Sequence, residues 1–309
     1  MVWNEDSLHR WLGRVLRPRG LATDFGNDAA VLAGALERAV LCADQAIEGV
    51  HFLPDAPPVS VGRKACARAL SDLAASAARP RAVLLTLRAP ISTDESRLRA
   101  LIRAVQSEAR RLGAELIGGD LACAPGPLSM SVTAVGELAH GVKPVSRAGA
   151  RAGQVLVATG PFGGSVLGRH LRIEPRFGEG AWLARLGATA MMDVSDGLAL
   201  DLSRMARASG VAFEVERAPI HRDARRLARS SGRTALEHAL GDGEDHELIA
   251  TLPKDAVERA LREAPRHCPG FAVIGRVKRG EGVFVPRDEK GGASVRFDGR
   301  GGWLHGARA

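Results

Sequence analysis

The chain has no tyrosine, and only 4% of its 309 residues are aromatic. Channels for single-stranded nucleic acid use aromatic side chains as platforms for stacked bases. That scarcity argues against a nucleic-acid partner despite a net charge of +8 and a pI near 10.1. The basic residues are mostly arginines, spread through stretches such as Asp94 to Arg111 and Asp201 to Arg207 with acidic residues among them. This is the pattern of solvated helix faces, and its positive field still attracts anionic nucleotides. Cys42, Cys66, Cys123 and Cys268 form no Cys-x-x-Cys pair, which argues against a zinc or redox motif and fits a reducing compartment. The longest apolar runs, Ala82 to Leu87 and Val155 to Ala158, are of strand length and too short to cross a bilayer. Residues Met1 to Asp6 do not read as a signal peptide. The expectation is a soluble, cytoplasmic protein with no membrane partner.

The usual nucleotide signatures are also missing. Gly62-Arg63-Lys64 lacks the preceding glycine and the Ser/Thr of a P-loop, and there is no His-Arg-Asp or Asp-Phe-Gly kinase signature. Gly160-Pro161-Phe162-Gly163-Gly164-Ser165 follows a strand-like run, but its glycine spacing does not match a dinucleotide loop and reads better as a tight strand-to-helix turn. No G-x-S-x-G elbow supports a serine hydrolase.

What the chain does have is a series of acidic clusters beside glycine or short apolar runs: Gly26-Asn27-Asp28, Asp44, Ser71-Asp72, Gly118-Gly119-Asp120 and Asp193-Val194-Ser195-Asp196-Gly197. Each alone suits a turn or a helix cap. Five together in a chain without a Walker sequence point to a hard cation such as Mg²⁺, which bridges carboxylates to substrate phosphates. Asp72 lies in an apolar, small-residue helical stretch, where an unpaired carboxylate is costly. Asp196 also suits a helix cap, His51 a core histidine and Trp303 a packed anchor.

Strand-like and helix-like segments alternate. Helical spacing covers Glu5 to Arg17, Ser60 to Ala78, Asp94 to Leu112, Ser165 to Arg172, Gly180 to Leu186, Asp196 to Ala208, His221 to Ser231 and Lys254 to Glu263. Strands are expected at Ala29 to Leu32, Ala39 to Ala43, from Val50, at Ala82 to Arg88, Glu115 to Gly118, Leu128 to Leu138, Gln154 to Thr159, Val211 to Val215, His246 to Leu252 and Ala272 to Val277. The length suits two domains, and the mixture predicts the α+β class with a boundary near residues 140 to 150, written as 1–142 and 143–309.

Several segments, in order, resemble the thiamine-monophosphate kinase family, within the aminoimidazole ribonucleotide synthetase-like superfamily. They are Gly26 to Val31, Ala43-Asp44 with Ile47 to Phe52, Ala69 to Ala75, Leu116 to Asp120, Ser146-Arg147 with Gly149-Ala150, Asp193 to Leu198 and Gly243 to Leu248. The resemblance implies a two-domain synthetase-like kinase fold. In it an N-terminal ferredoxin-like sheet pairs into a barrel in a homodimer, and an α/β domain follows. It implies in-line transfer of a phosphoryl group from ATP to thiamine phosphate, giving thiamine diphosphate, with several Mg²⁺ ions. Asp28, Asp44, Asp72, Asp120, Asp193 and Asp196 would hold metal. Gly119, Asp120, Arg147 and Ser195 would meet the nucleotide, and His51, Glu244 and Trp303 the thiamine phosphate. Another ATP-dependent synthetase of the superfamily and a non-catalytic binding paralogue are the alternatives.

The chain departs from the family pattern at several positions. Asn27 stands where an aspartate is usual, Cys42-Ala43 where Ser-Thr is usual, Leu121 where threonine is usual and His246 where tyrosine is usual. The first two remove a charge and a hydroxyl near the expected metal site and leave its main carboxylates in place.

Overall fold

The computed structural model describes Trp11 and residues 38–138, 142–291, 293–299 and 302, and the expected helix at Glu5 to Arg17 and strand at Ala29 to Leu32 fall almost wholly outside them. The chain divides into two compact units. The first comprises residues 1–73, 78–139 and 171–173, and the second residues 74–77, 140–170 and 174–309.

The first unit runs β1 (Ala39–Ile47), α1 (Pro58–Ala75), β2 (Ala78–Ala89), α2 (Glu95–Arg111), β3 (Glu115–Cys123) and β4 (Ser129–Leu138). Its four-stranded sheet has the order β1-β4-β2-β3. β4 pairs antiparallel with β1 and β2, and β3 runs parallel to β2 after the α2 crossover. Buried Val61, Ala65, Cys66, Ala69, Leu70 and Leu73 form one face of α1, and Leu98, Leu101, Ile102, Val105 and Ala109 one face of α2. α2 starts where it does because the Asp94 side chain accepts the Ser96 N–H at 3.0 Å, and Arg110 and Arg111 stand in its last turn. Trp11 is buried beneath the Arg99 and Arg103 guanidinium groups, 5.3 and 5.1 Å from its ring centre. Alternation along β1 places Cys42, Asp44 and Ala46 in the row opposite buried Ala134, Val132 and Met130, while Ala39, Leu41, Ala43 and Gln45 stand exposed on the other face.

The second unit has a seven-stranded mixed sheet in the order β11-β10-β7-β9-β5-β8-β6. Its strands are β5 (Val155–Ala158), β6 (Ala190–Asp193), β7 (Ala212–Val215), β8 (Leu248–Leu252), β9 (Ala272–Lys278), β10 (Gly282–Pro286) and β11 (Ser294–Arg296). Its helices are α3 (Phe177–Arg185), α4 (Leu198–Ser209), α5 (Arg222–Ser231), α6 (Ala235–Gly241) and α7 (Lys254–His267). Both faces of the sheet are covered. Leu156, Ala158 and Ile249 join Leu198, Leu202, Met205 and Leu236 in one core cluster, and Val157, Leu248 and Ala250 join Trp182, Leu183, Ala260 and Ala264 in the other. Strands buried on both faces lose their alternation, so β8 is buried at all five positions.

Three expectations are corrected. The segment from Val50 forms a turn closed by a single bridge between Glu48 and Phe52. Ser165 to Arg172 forms two short 3-10 turns, Ser165–Leu167 and Arg169–Leu171, with Gly164 and Gly168 at φ of 74° and 115° flanking the first. The last helix continues through Pro265 to His267. β6, α6, β10 and β11 were not anticipated from periodicity.

Gly62 shows why the Gly-Arg-Lys run serves packing. A Cβ there would lie 2.6 Å from the Leu101 carbonyl oxygen and 2.7 Å from the Ala104 Cβ, so α1 and α2 approach closely only because this side chain is absent. Gly62→Ala gains intrinsic helix propensity of about 1 kcal/mol but must push the helices apart at a typical overpacking cost of about 1–3 kcal/mol. The expected result is a lower urea midpoint with unchanged slope.

Candidate functional site

In the first unit, β1 and α1 bring acidic and basic groups together. Arg68 grips Asp44 with both ends of its guanidinium, Nε at 2.8 Å from Oδ2 and Nη2 at 3.2 Å from Oδ1, and Oδ1 also accepts the Gln45 N–H at 2.8 Å. Asp72 is half-buried one helical turn beyond Arg68 on α1. His51 is 9% exposed, and its Nδ1 accepts the Ile47 N–H at 3.1 Å, so the neutral ring carries its hydrogen on Nε2. Its carbonyl receives the ammonium of fully buried Lys64 at 2.5 Å.

Asp120 is exposed on β3, opposite Thr86 of β2. β3 and β1 are the two edges of this sheet, and Asp44 stands in the buried row, so one copy of the unit does not gather these two carboxylates. Gly119 has φ of 152°, and a Cβ there would fall 1.8 Å from the Leu85 carbonyl oxygen, which permits no side chain.

In the second unit, the loop after β6 and the loop before β8 are zipped together. Glu244 N–H donates to the Ser195 carbonyl at 2.6 Å, His246 N–H to Val194 at 2.8 Å, and Val194 N–H to Glu247 at 2.9 Å. Glu244 and His246 both take left-handed backbone, with φ of 52° and 51°, a conformation that side chains other than glycine rarely adopt and that clusters at functional sites. Asp193 is 7% exposed, and its Oδ2 lies 3.0 Å from His246 Nδ1. Fully buried Asp201 accepts the Ser195 and Asp196 N–H groups at 3.0 and 2.9 Å and an Arg204 Nη1 contact at 2.6 Å. The same Arg204 nitrogen bridges to Asp196. Asp196 therefore does not cap its helix; Gly197 takes that place without a side-chain bond.

A third loop closes onto these two. Asp245 accepts the Gly163 N–H at 3.0 and 2.9 Å and an Arg169 contact at 2.8 Å, Glu247 accepts the Thr159 hydroxyl at 2.6 Å, and Arg176 bridges to Glu247. Burial pushes the Asp245 carboxyl up to about 7 against the pull of Arg169, and burial likewise pushes Asp201 up to about 6. Arg147 is exposed, and its carbonyl accepts the Ser209 hydroxyl. Asp28 and Trp303 lie outside the described residues.

Local sequence pattern does not mark Arg68, Lys64, Asp201, Arg204, Arg169, Asp245 or Glu247 as partners. Only the Asp201–Arg204 spacing, three residues apart on a helix, carried a local signal.

No group of three or more His, Cys, Asp or Glu side chains able to hold a metal ion occurs among the described residues. Magnesium does not require one. It keeps several waters and binds one or two carboxylates together with substrate phosphates. As carboxylates, Asp44, Asp72, Asp193 and Asp196 are hard oxygen donors of the kind such an ion takes, so their chemistry fits it.

Comparison with known proteins places the chain in a family. The family model for the AIR synthase related protein N-terminal domain matches residues 26–138, and that for the C-terminal domain matches residues 149–287. A thiamine-monophosphate kinase of Rhodopirellula baltica is 40% identical over 257 residues, covering 79% of this chain and 80% of the relative. The chain belongs to the thiamine-monophosphate kinase family. The structure of AaThiL complexed with AMPPCP and TMP superposes with a TM-score of 0.76 at 28% identity, covering 97% of this chain and 96% of that one. The thiamine-monophosphate kinase of Stenotrophomonas maltophilia K279a gives 0.76 at 31% identity, covering 91% and 95%. No described helix is long and apolar enough to cross a membrane.

The buried acids of the second unit make stability depend on pH. The folded pKa of Asp245 lies above its ordinary value of 3.8, so the folded state holds the proton more tightly than the unfolded chain. The associated stability is complete below about pH 4 and is lost as pH rises to about 7. Asp201 adds in the same direction up to about pH 6. The contribution of these two acids to the thermal midpoint should therefore fall across this range, so the midpoint of the parent relative to that of Asp245→Asn should drop as pH rises from about 4 to about 7.

Proposed function

We propose that this chain transfers the γ-phosphoryl group of ATP to thiamine phosphate, forming thiamine diphosphate. The near-complete structural match to a relative holding AMPPCP, an ATP analogue, together with TMP carries the reading. The sequence identity to thiamine-monophosphate kinases supports it.

The chemical problem is repulsion between two polyanions. Unit charges about 4 Å apart repel by roughly 4 kcal/mol at an effective dielectric near 20, and several such pairs meet during transfer. Bound magnesium would neutralise this charge and hold attacking and leaving oxygens in line. Asp44, Asp72, Asp120, Asp193 and Asp196 are the residues assigned to hold it, with Asp28 outside the described residues. Gly119 lets a phosphate approach backbone that a side chain would cover. Arg147 contributes an exposed cation, and Ser195 a hydroxyl on the loop pinned by Asp201. His51, fixed in one tautomer, and Glu244, on its strained turn, orient the acceptor, with Trp303 assigned to the thiamine ring. The acceptor phosphate is already anionic at neutral pH, so no general base is needed.

The assembly we infer is a homodimer. The exposed row of β1 includes Leu41 at 65% exposure, and half-buried Val135 on β4 lies directly opposite it. Exposed apolar side chains on a sheet face suit the matching face of a second copy.

Mass spectrometry of products from ATP and thiamine phosphate tests the reaction directly. Thiamine diphosphate is expected, and a different adduct would favour a related synthetase. Asp72→Asn should lower turnover at least 10- to 100-fold, by analogy with other metal-shell changes, with an unchanged circular dichroism spectrum. Leu41→Glu should turn the dimer into a monomer in analytical ultracentrifugation.

A further inference from the structure

His246 occupies a costly position. Its backbone is left-handed at φ 51°, and its ring is 2% exposed. Nε2 is buried with no hydrogen-bond partner among the described residues. An unpaired buried nitrogen and a left-handed non-glycine residue both destabilise a fold. Among the described residues the ring has one polar contact to offset them: Nδ1 lies 3.0 Å from Asp193 Oδ2, in a pair whose side chains are 2% and 9% exposed. A carboxylate only accepts, so Nδ1 carries the hydrogen of that bond. The backbone on either side is also tied to the Asp193 loop, through His246 N–H to Val194 and Val194 N–H to Glu247. The imidazole therefore meets the carboxylate from a fixed platform. Packing alone does not explain this choice, since an apolar side chain would fill the space without a stranded nitrogen.

We propose that His246 is a positioning residue that sets the orientation of the Asp193 carboxylate for a divalent cation. The inference rests on the reading above that Asp193 holds magnesium. Groups that hydrogen-bond to a metal-binding side chain typically change metal affinity 10- to 100-fold when removed.

The test is Mn²⁺ binding to the full chain with a non-hydrolysable ATP analogue, followed by electron paramagnetic resonance, so that neither turnover nor thiamine phosphate enters. His246→Leu keeps apolar volume and removes the donor. His246→Gly removes the donor and suits the left-handed backbone, which provides a second variant if the first does not fold. His246→Asn returns an N–H close to the position of Nδ1 and tolerates the same backbone. Each donor-less variant that folds should bind Mn²⁺ at least 10-fold more weakly than the parent, and His246→Asn should recover most of the loss. Parent-like binding by a folded donor-less variant would overturn the proposal. So would equal weakening in all variants, because packing alone would then explain the effect. A parent that binds Mn²⁺ in a His246-dependent way but makes no thiamine diphosphate would overturn the kinase reading and leave this inference standing. A parent that binds no Mn²⁺ would overturn both.

Discussion

A carboxylate withdrawn from water must meet a cation or a set of N–H groups, and the loops of this protein are arranged around that requirement. In the first unit Asp44 meets Arg68. In the second, Asp193 meets His246, Asp196 and Asp201 share Arg204, Asp245 meets Arg169 and Glu247 meets Arg176. Removing either member of such a pair leaves its partner stranded, which costs more than the pair contributes on balance. The constraint is therefore one of conformation: three loops of the second unit can close only in the arrangement that satisfies every acid.

This arrangement has a consequence for the proposed chemistry. In the proposed reaction a polyanionic ligand and its cations would meet Asp193 and Asp196 where they are already paired with His246 and Arg204, so binding there would exchange partners. Asp201 holds the Ser195 and Asp196 backbone groups from within the core, and the side chains proposed to meet phosphate or metal project from a loop that is already set. On β3 the same preparation is steric. The φ of 152° at Gly119 and the Leu85 carbonyl beneath it leave bare backbone immediately before Asp120.

Much of the fold was legible in local pattern. The apolar spacing from Asp94 to Leu112 gave α2 nearly to the residue, because that signal lies within one segment. The alternation from Leu128 to Leu138 marked β4 for the same reason. The helix expected after Gly164 became two 3-10 turns because left-handed glycines flank the first of them and interrupt an α-helical run. β10 and β11 carry little periodic signal: they are short, and pairing with β7 and with each other, rather than alternation, defines them.

The sequence by itself determined the family, through the order of the acidic and glycine-rich motifs, and the principal helices and strands, through periodicity. These are properties of neighbouring residues and survive in a linear reading. Only the tertiary structure decided which group neutralises which. Arg68 is 24 residues from Asp44, His246 is 53 from Asp193, Arg176 is 71 from Glu247 and Arg169 is 76 from Asp245. Those distances close only when strand order and register are set, so an arginine that reads as a solvated helix charge in the linear chain becomes the counterion of a buried acid in the fold.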